Sequence, residues 1–208
     1  PHHNYPFGYC KSESAFTKVQ SMKRAVPMLL GLFLCAVQVG VSAEGNSMER
    51  NDVEGMAFPI LVAETLDGKQ FQTPDPERET SHIILIAFKR GVQPQIDKWL
   101  SALSGPVAAR QDVEMYEVPM LAGAWRLMSG IIDGGMRSGI PQEKHSSVAT
   151  FYGDIKRYQD ILDMDQTDQC YLYVIDPQGI IRFASSGPPA PGLLDQAIKA
   201  MNHASWRD

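Results

Sequence analysis

The sequence predicts an α/β sandwich, in which a mixed central sheet ends in a C-terminal β-hairpin and is flanked by helices. Three observations support this class. Ile83 to Phe88 form an unbroken apolar run, which indicates a strand buried on both faces. Residues 170–184 contain two apolar segments joined by a turn. A last amphipathic segment, from about 191 to 203, has the pattern of a helix that covers the sheet.

The central unit is a strand, a glycine loop and a helix over residues 81–103. Gly91 and Pro94 mark the loop. Beyond the loop, four apolar residues recur at the spacing of one helix face, and they are Ile96, Trp99, Leu100 and Leu103. A buried strand followed by such a helix requires a second strand beside it, so the pattern predicts a crossover unit.

The other elements follow from the same two periodicities. They are predicted, in chain order, at 58–66 (strand), about 71 (short strand), 113–118 (strand ended by Pro119), 121–140 (helix), 148–152 (strand) and 154–162 (helix). The turn of the hairpin is Asp176-Pro177-Gln178-Gly179, with proline at its second position and glycine at its fourth.

The N-terminal part has the pattern of an export signal. Residues 1–21 are interpreted as an upstream extension, because the first candidate start is Met22. Residues 22–43 contain a positive start, an apolar core of ten residues and a small-residue cleavage site. Because a membrane span needs about 20 apolar residues, we expect cleavage and no stable membrane insertion afterwards.

After cleavage, residues 44–55 are predicted to be a disordered N-terminus and 56–208 a single domain, located in the periplasm or otherwise exported. From residue 44 onward the chain holds 15 basic and 23 acidic residues, a net charge of −8, without a basic cluster. A nucleic-acid-binding function is therefore excluded, because such binding depends on basic residues that neutralise phosphates.

Cys170 is the one cysteine after the predicted cleavage site, since Cys10 and Cys35 precede it. No Cys-x-x-Cys motif occurs anywhere in the chain. These counts exclude a dithiol redox site and a structural zinc site, and nothing else in the sequence indicates a metal or a cofactor. Exported proteins usually avoid a free exposed thiol, so Cys170 is expected to be buried.

Aromatic and histidine side chains give further expectations. Trp99, Trp125, Tyr158 and Tyr171 are predicted to belong to the core. His82 and His145 have no partners at metal-ligand spacing, so both are predicted at the surface.

The order of elements resembles the thioredoxin-like family that includes the mitochondrial ATP synthase assembly factor ATP10 and many exported bacterial proteins. The motifs that carry the resemblance are Phe88-Lys89-Arg90, Tyr116-Glu117-Val118-Pro119, Gly135 to Pro141, Phe151-Tyr152-Gly153-Asp154 and the hairpin 176–183. It covers roughly residues 56–202. The resemblance implies a thioredoxin-like fold and a protein partner, expected to be another envelope protein.

The chain departs from active thioredoxins at both parts of their redox site. Where they carry Cys-x-x-Cys, this chain has Gly91-Val92-Gln93-Pro94-Gln95. Where they carry a cis-proline before the hairpin, it has Gln169-Cys170. Redox activity is therefore not implied by the resemblance, and the retained scaffold indicates a binding function.

The candidate binding site consists of six residues around this loop: Arg90, Gly91, Gln93, Glu117, Gln169 and Cys170. Arg90 and the following helix N-terminus could hold an anion or a partner's carboxylate. A structural ion pair between Arg90 and Glu117 is the alternative.

Three functions stay open on the sequence alone. The first is a redox-inactive, exported, assembly or chaperone-like protein that acts by binding another protein, in a groove between the loop, the strand start at Cys170 and the predicted helix 121–140. The second is an enzyme, a thiol peroxidase or oxidoreductase that uses Cys170 alone. The third is a small-anion binder centred on Arg90.

Overall fold

A computed structural model describes residues 53–75 and 77–203. The predicted upstream extension, the export signal and residues 44–52 lie outside the described residues, as do Cys10 and Cys35. The described part begins at Val53, which is buried, and the Gly55 N–H donates to the Ile181 carbonyl at 2.8 Å. The packed structure thus includes three residues ahead of the predicted domain start at 56.

Strands and helices follow the predicted order. The strands are β1 (Leu61–Thr65), β2 (Gln70–Thr73), β3 (Ser81–Ala87), β4 (Val113–Ala122), β5 (Ala149–Gly153), β6 (Tyr171–Ile175) and β7 (Ile181–Ser186). The helices are α1 (Gln93–Ala108), α2 (Ser129–Gly139), α3 (Ile155–Leu162) and α4 (Pro191–His203). Short 3-10 helices occupy Arg90–Val92, Gly123–Met128 and Gln142–Ser147.

Among the described residues, all strands belong to one seven-stranded sheet in the order β2-β1-β5-β4-β3-β6-β7. β4 pairs in parallel with β3 and with β5, whereas the other pairs are antiparallel. β3 lies between β4 and β6, and every one of its seven residues is buried. The mixed sheet with a C-terminal hairpin, predicted from the sequence, is confirmed.

The sheet has a hydrophobic core on each face. One core contains side chains of α1, α2 and α4, including Trp99, Ile132 and Met201. The other contains side chains of α3 and of the segment before β1, including Tyr158 and Phe58. The unbroken apolar pattern of β3 follows from this arrangement, since a strand between two cores has no solvent-facing side.

The hairpin turn is held by Asp176, whose carboxylate is buried. Its Oδ1 accepts the Ile180 N–H at 2.8 Å, and its Oδ2 accepts from Nε of Arg182 at 2.6 Å. Gly179 adopts φ +82°, the left-handed conformation that glycine allows at little cost. The sequence signal for this turn therefore corresponds to a specific hydrogen-bonded structure.

The prediction that Pro119 ends its strand is wrong, because β4 continues to Ala122. The pairing with β3 ends at Ala87 opposite Pro119, and the main pairing with β5 begins at Met120 opposite Phe151. Pro119 thus lies where β4 changes partners. A proline has no N–H to donate, so this is a position in a central strand where it is tolerated.

The predicted helix 121–140 is also wrong in its first half. Leu121 belongs to β4, Gly123–Met128 is a 3-10 helix, and α2 begins at Ser129. Trp125, predicted to be in the core, is 46% exposed. The apolar spacing of this segment therefore marks an exposed surface over most of its length, and the core predictions for Trp99, Tyr158 and Tyr171 alone are confirmed.

His82, predicted at the surface, is buried in β3. Its Nδ1 lies 2.8 Å from the Thr73 hydroxyl oxygen, and Glu114 is 3.9 Å from its Nε2. Burial lowers the pKa of His82 despite that carboxylate. The prediction failed because a strand buried on both faces encloses its polar residues as well as its apolar ones. His145 is partly exposed.

Candidate functional site

Cys170 immediately precedes β6 and is fully buried, as predicted. Its thiol donates to the Gly187 carbonyl at 3.0 Å, and the Gly187 N–H donates to the Cys170 carbonyl at 2.8 Å. The same Gly187 carbonyl accepts the indole N–H of Trp99 at 2.8 Å. The sulfur is therefore held inside the core between α1 and the chain that leaves β7.

Burial raises the pKa of the Cys170 thiol to about 12. A thiol attacks peroxides and disulfides as its thiolate, so a group that stays protonated at neutral pH is a poor nucleophile. No cation within the described residues offsets the effect of burial on this pKa. The surroundings of Cys170 are those of a structural cysteine.

A reactivity measurement tests this setting. In a full chain with Cys10→Ser and Cys35→Ser, the folded protein is expected to react with dithionitrobenzoate at least about 100-fold more slowly than the same protein in denaturing urea. The reason is that both burial and the raised pKa are lost on unfolding. Equal rates in the two conditions would show that Cys170 is accessible.

Gln95, in the first turn of α1, closes the loop over Cys170. Its Oε1 accepts the Cys170 N–H at 3.1 Å, and its Nε2 donates to the Asp168 carbonyl at 3.2 Å. One side-chain amide thus satisfies two backbone groups of the segment before β6. These groups are not available to an incoming peptide unless Gln95 moves.

The other predicted loop residues lie on the outer side of this contact. Arg90 and Gly91 are exposed in the 3-10 helix before α1, and Gln169 is partly exposed beside Gly187. Within the described residues, no carboxylate lies at ion-pairing distance from Arg90. The predicted alternative, an ion pair between Arg90 and Glu117, is therefore not formed.

Glu117 instead faces Gln93. The Gln93 Nε2 donates to Glu117 Oε2 at 3.4 Å and to Asp97 Oδ1 at 3.1 Å. Glu117 lies in β4, is 4% exposed, and lines a groove of about 520 Å³ together with Asp97 and Lys144. Gln93 is thus the link between the exposed loop and a buried carboxyl group.

Burial raises the pKa of Glu117 to about 7, although the hydrogen bond from Gln93 and the charge of Lys144 act in the opposite direction. A carboxyl group with such a pKa gains or loses a proton near neutral pH. Strongly perturbed groups beside a groove occur often at functional sites, but ion-pair and core networks also produce them.

Two hydrogen-bonded contacts connect the loop to the rest of the predicted site, one at Cys170 and one at Glu117. Gln95 joins the loop to Cys170 and Asp168, and Gln93 joins it to Glu117. Gln95 was not among the six predicted site residues. Its position in the segment that replaces Cys-x-x-Cys was the sequence feature that could have identified it. The groove was predicted to have the helix 121–140 as its third side. In the structure, α2 instead contacts the β1 side of the sheet, where Arg137 Nε donates to the Leu66 carbonyl at 2.6 Å.

Two more properties bear on the chemistry of the described residues. No group of three or more histidine, cysteine or acidic side chains comes together in 53–75 and 77–203 in a way that could hold a metal ion. No helix in this part of the chain is both long enough and apolar enough to cross a membrane.

Solved structures with a similar fold include the following two proteins. One is BsSco, a member of the Sco family of cytochrome c oxidase assembly proteins, at 13% identity and a TM-score of 0.53 over 74% of this chain and 96% of that one. Another is an SCO1/SenC family lipoprotein from Bacillus anthracis str. Ames, at 14% identity and a TM-score of 0.51 over 73% and 96%. At such identities the likeness concerns the fold, and the predicted thioredoxin-like fold is confirmed.

Comparison with curated proteins found no match. A sequence model of the family described as "ATP10 protein" matches residues 50–203, which is most of the chain and includes both contacts of the candidate site. The chain therefore belongs to the ATP10 protein family.

Proposed function

We propose that this chain is a redox-inactive member of the thioredoxin-like fold that acts by binding another protein of the cell envelope, in an assembly-type role. Membership of the ATP10 family supports the role, since the family resemblance is to an ATP synthase assembly factor. The predicted export signal supports the location, which would be the periplasm or another exported compartment.

The observation that carries redox inactivity is the setting of Cys170. The thiol is buried, donates to a backbone carbonyl, and has its pKa raised to about 12. Gln95 covers the backbone beside it, where a redox enzyme must expose its sulfur. This arrangement opposes the alternative of a peroxidase or oxidoreductase that uses Cys170 alone.

A surface suited to a protein partner lies on the 3-10 helix before α2 and on the start of α2. Trp125, Leu127, Met128 and Ile131 are 46%, 96%, 44% and 53% exposed. Four large apolar side chains exposed within seven consecutive residues cost free energy in water unless something covers them. An apolar helix or strand of another envelope protein is the occupant that this surface favours, and we name residues 125–131 the apolar segment.

Site-specific crosslinking tests the proposal. A photoreactive amino acid at Leu127 of the full chain, expressed in its own cells, is expected to crosslink one protein. Gln196, exposed on α4, is the matched control position and is expected to give none. Trp125→Ser is expected to reduce the Leu127 crosslink at least about tenfold, because aromatic anchors dominate protein interfaces.

Cys170→Ser separates binding from thiol catalysis. The variant is expected to keep the Leu127 crosslink and to differ from the parent by less than about twofold in peroxide consumption, because the buried thiol is a poor nucleophile. Equal crosslinking from Leu127 and Gln196 would remove the basis for the apolar segment as an interface. A thiol-dependent turnover abolished by Cys170→Ser would favour the enzyme.

A further inference from the structure

A second cavity, of about 470 Å³, lies between α2 with its preceding 3-10 helix and the strands β1 and β5. It is far from Cys170 in the strand order, since β4 and β3 lie between β5 and β6. Its walls are mainly polar, and the residues used below are Glu64, Arg126, Ser129, Arg137, Thr150 and Tyr152. We name it the α2 pocket.

The floor of the α2 pocket contains an unsatisfied hydroxyl group. Thr150 is 3% exposed, and its Oγ1 is the single buried side-chain oxygen or nitrogen of the described residues that has no hydrogen-bond partner. Thr150 lies opposite Glu64 in the β1–β5 pair, and Tyr152 is two residues along the same strand. All three side chains therefore lie on one face of the sheet, which is the face that the pocket occupies.

The roof of the pocket presents donors. Arg126 is exposed, and its side chain has no hydrogen-bond or ion-pair partner among the described residues. Arg137 uses Nε for the Leu66 carbonyl, which leaves its two terminal nitrogens without a described partner. α2 begins at Ser129, whose N–H already donates to the Arg126 carbonyl, and Ser129 and Gly130 line the cavity beside the two arginines.

The acidic groups of the pocket limit the charge of what it can hold. Asp133 accepts the Tyr152 hydroxyl at 2.8 Å, and Glu64 is exposed at the rim. Two guanidinium groups and two carboxylates balance one another, so a ligand with two negative charges would be repelled by the acids. A single planar carboxylate matches the paired donors of one arginine and leaves an oxygen for a hydroxyl or N–H donor.

We propose that the α2 pocket is a binding site for one carboxylate group, held by Arg126 and Arg137 with the Thr150 hydroxyl. The site is separate from the candidate site around Cys170 and does not depend on the proposed function. The carboxylate could belong to a small organic acid or to an acidic side chain of a protein, and both present the same planar oxygens.

A titration of the isotope-labelled full chain by NMR distinguishes these sources. The probes are acetate, an acetylated glycine–glutamate–glycine amide and inorganic phosphate. Acetate or the peptide is expected to shift the amide signals of Ser129, Gly130 and Thr150 at lower concentration than phosphate. Tighter binding of acetate identifies a free acid, and tighter binding of the peptide identifies a protein carboxylate.

Three variants test the residues. Arg126→Gln is expected to weaken binding of the better probe about tenfold or more, since a charge-assisted hydrogen bond is lost. Thr150→Val is expected to weaken it about threefold to tenfold while keeping or raising the melting temperature, because the removed hydroxyl has no partner in the free protein. Arg157→Gln, which changes an exposed arginine on α3, is the control and is expected to bind like the parent.

Three results would overturn the proposal. One is the absence of shifts at the three amides with either carboxylate probe. Another is phosphate binding that is tighter than carboxylate binding. The third is equal affinity of the Arg126→Gln, Thr150→Val and Arg157→Gln proteins for the better probe. None of these outcomes depends on the crosslinking from Leu127, so the two proposals fail separately.

Discussion

Replacing Trp99 with alanine is expected to lower the free energy of unfolding by about 3–5 kcal/mol. Trp99 is fully buried in the core between α1, α4 and the sheet, and its indole N–H donates to the Gly187 carbonyl at 2.8 Å. The substitution removes a large buried surface, leaves a cavity and takes one donor from that carbonyl. Urea unfolding followed by far-UV circular dichroism measures the loss.

The chain supplies a matched control for this substitution. Trp125→Ala makes the same chemical change at a residue that is 46% exposed, and the expected loss is within about 0.5 kcal/mol. If Trp99→Ala leaves no folded state to measure, Trp99→Phe keeps most of the volume and is expected to cost about 1–3 kcal/mol. Equal losses for the two alanine variants would contradict the positions assigned to both tryptophans.

Trp99 also connects stability to the candidate site. The Gly187 carbonyl accepts hydrogen bonds from both the Trp99 indole N–H and the Cys170 thiol, and Gly187 has a positive φ of +75°. Loosening this contact is expected to increase the reaction rate of Cys170 with dithionitrobenzoate under native conditions, since local opening exposes the thiol. The burial of the Cys170 thiol and the packing of α1 thus depend on the same contact with Gly187.

Much of this fold is predictable from local pattern. The run from Ile83 to Phe88 identifies the central strand because a strand between two cores contains hardly any polar residues. The turn at Asp176 to Gly179 identifies the hairpin because its residue types match the required dihedral angles. The burial of Cys170 was predicted from chemistry, since the sequence predicts export and exported proteins usually keep a free thiol from solvent.

The errors have physical causes that a single sequence does not contain. The apolar spacing from Leu121 to Ile132 is the same for a core-facing helix and for an exposed binding segment, so Trp125 was placed in the core. Pro119 continues its strand because β4 changes partners there, which depends on β5, a strand 30 residues away. Thr150 gives no signal at all, since only the assembled pocket leaves its hydroxyl without a partner.

For the candidate site too, local sequence features were predictable and tertiary contacts were not. The absence of Cys-x-x-Cys is visible in the sequence and predicts the loss of dithiol chemistry. The contacts that replace it are tertiary, because Gln95 and Cys170 are 75 residues apart. Glu117 is buried beneath α1 and faces Gln93, which is 24 residues away in the sequence.

Glu117→Gln is expected to change how stability depends on pH. Burial raises the pKa of Glu117 from an ordinary value of 4.5 to about 7, so between these values the folded protein holds a proton that the unfolded chain has released. Stability of the parent protein must then fall as pH rises from about 4.5 to about 7, and it stays low above that range. The loss amounts to about 3 kcal/mol, and glutamine removes it.

The measurement is the free energy of unfolding in urea at several pH values from 4 to 8, for the parent, Glu117→Gln and Glu143→Gln. Glu143 is an exposed carboxylate of a 3-10 helix and controls for the removal of one charge. The difference between Glu117→Gln and the parent is expected to increase by about 3 kcal/mol across this range, while Glu143→Gln follows the parent. Subtracting the parent curve removes the contribution of His82, whose lowered pKa makes stability fall in the opposite direction, toward low pH.

The groups around Glu117 decide whether this effect is as large as expected. Asp97 raises its pKa further, whereas the charge of Lys144 and the amide of Gln93 lower it. Lys144→Gln should therefore steepen the fall in stability of the parent between pH 5 and pH 7, because it removes a cation that favours the ionised carboxylate. A flat difference between Glu117→Gln and the parent would show that water or Lys144 solvates the carboxylate, and that the groove beneath α1 is open rather than closed.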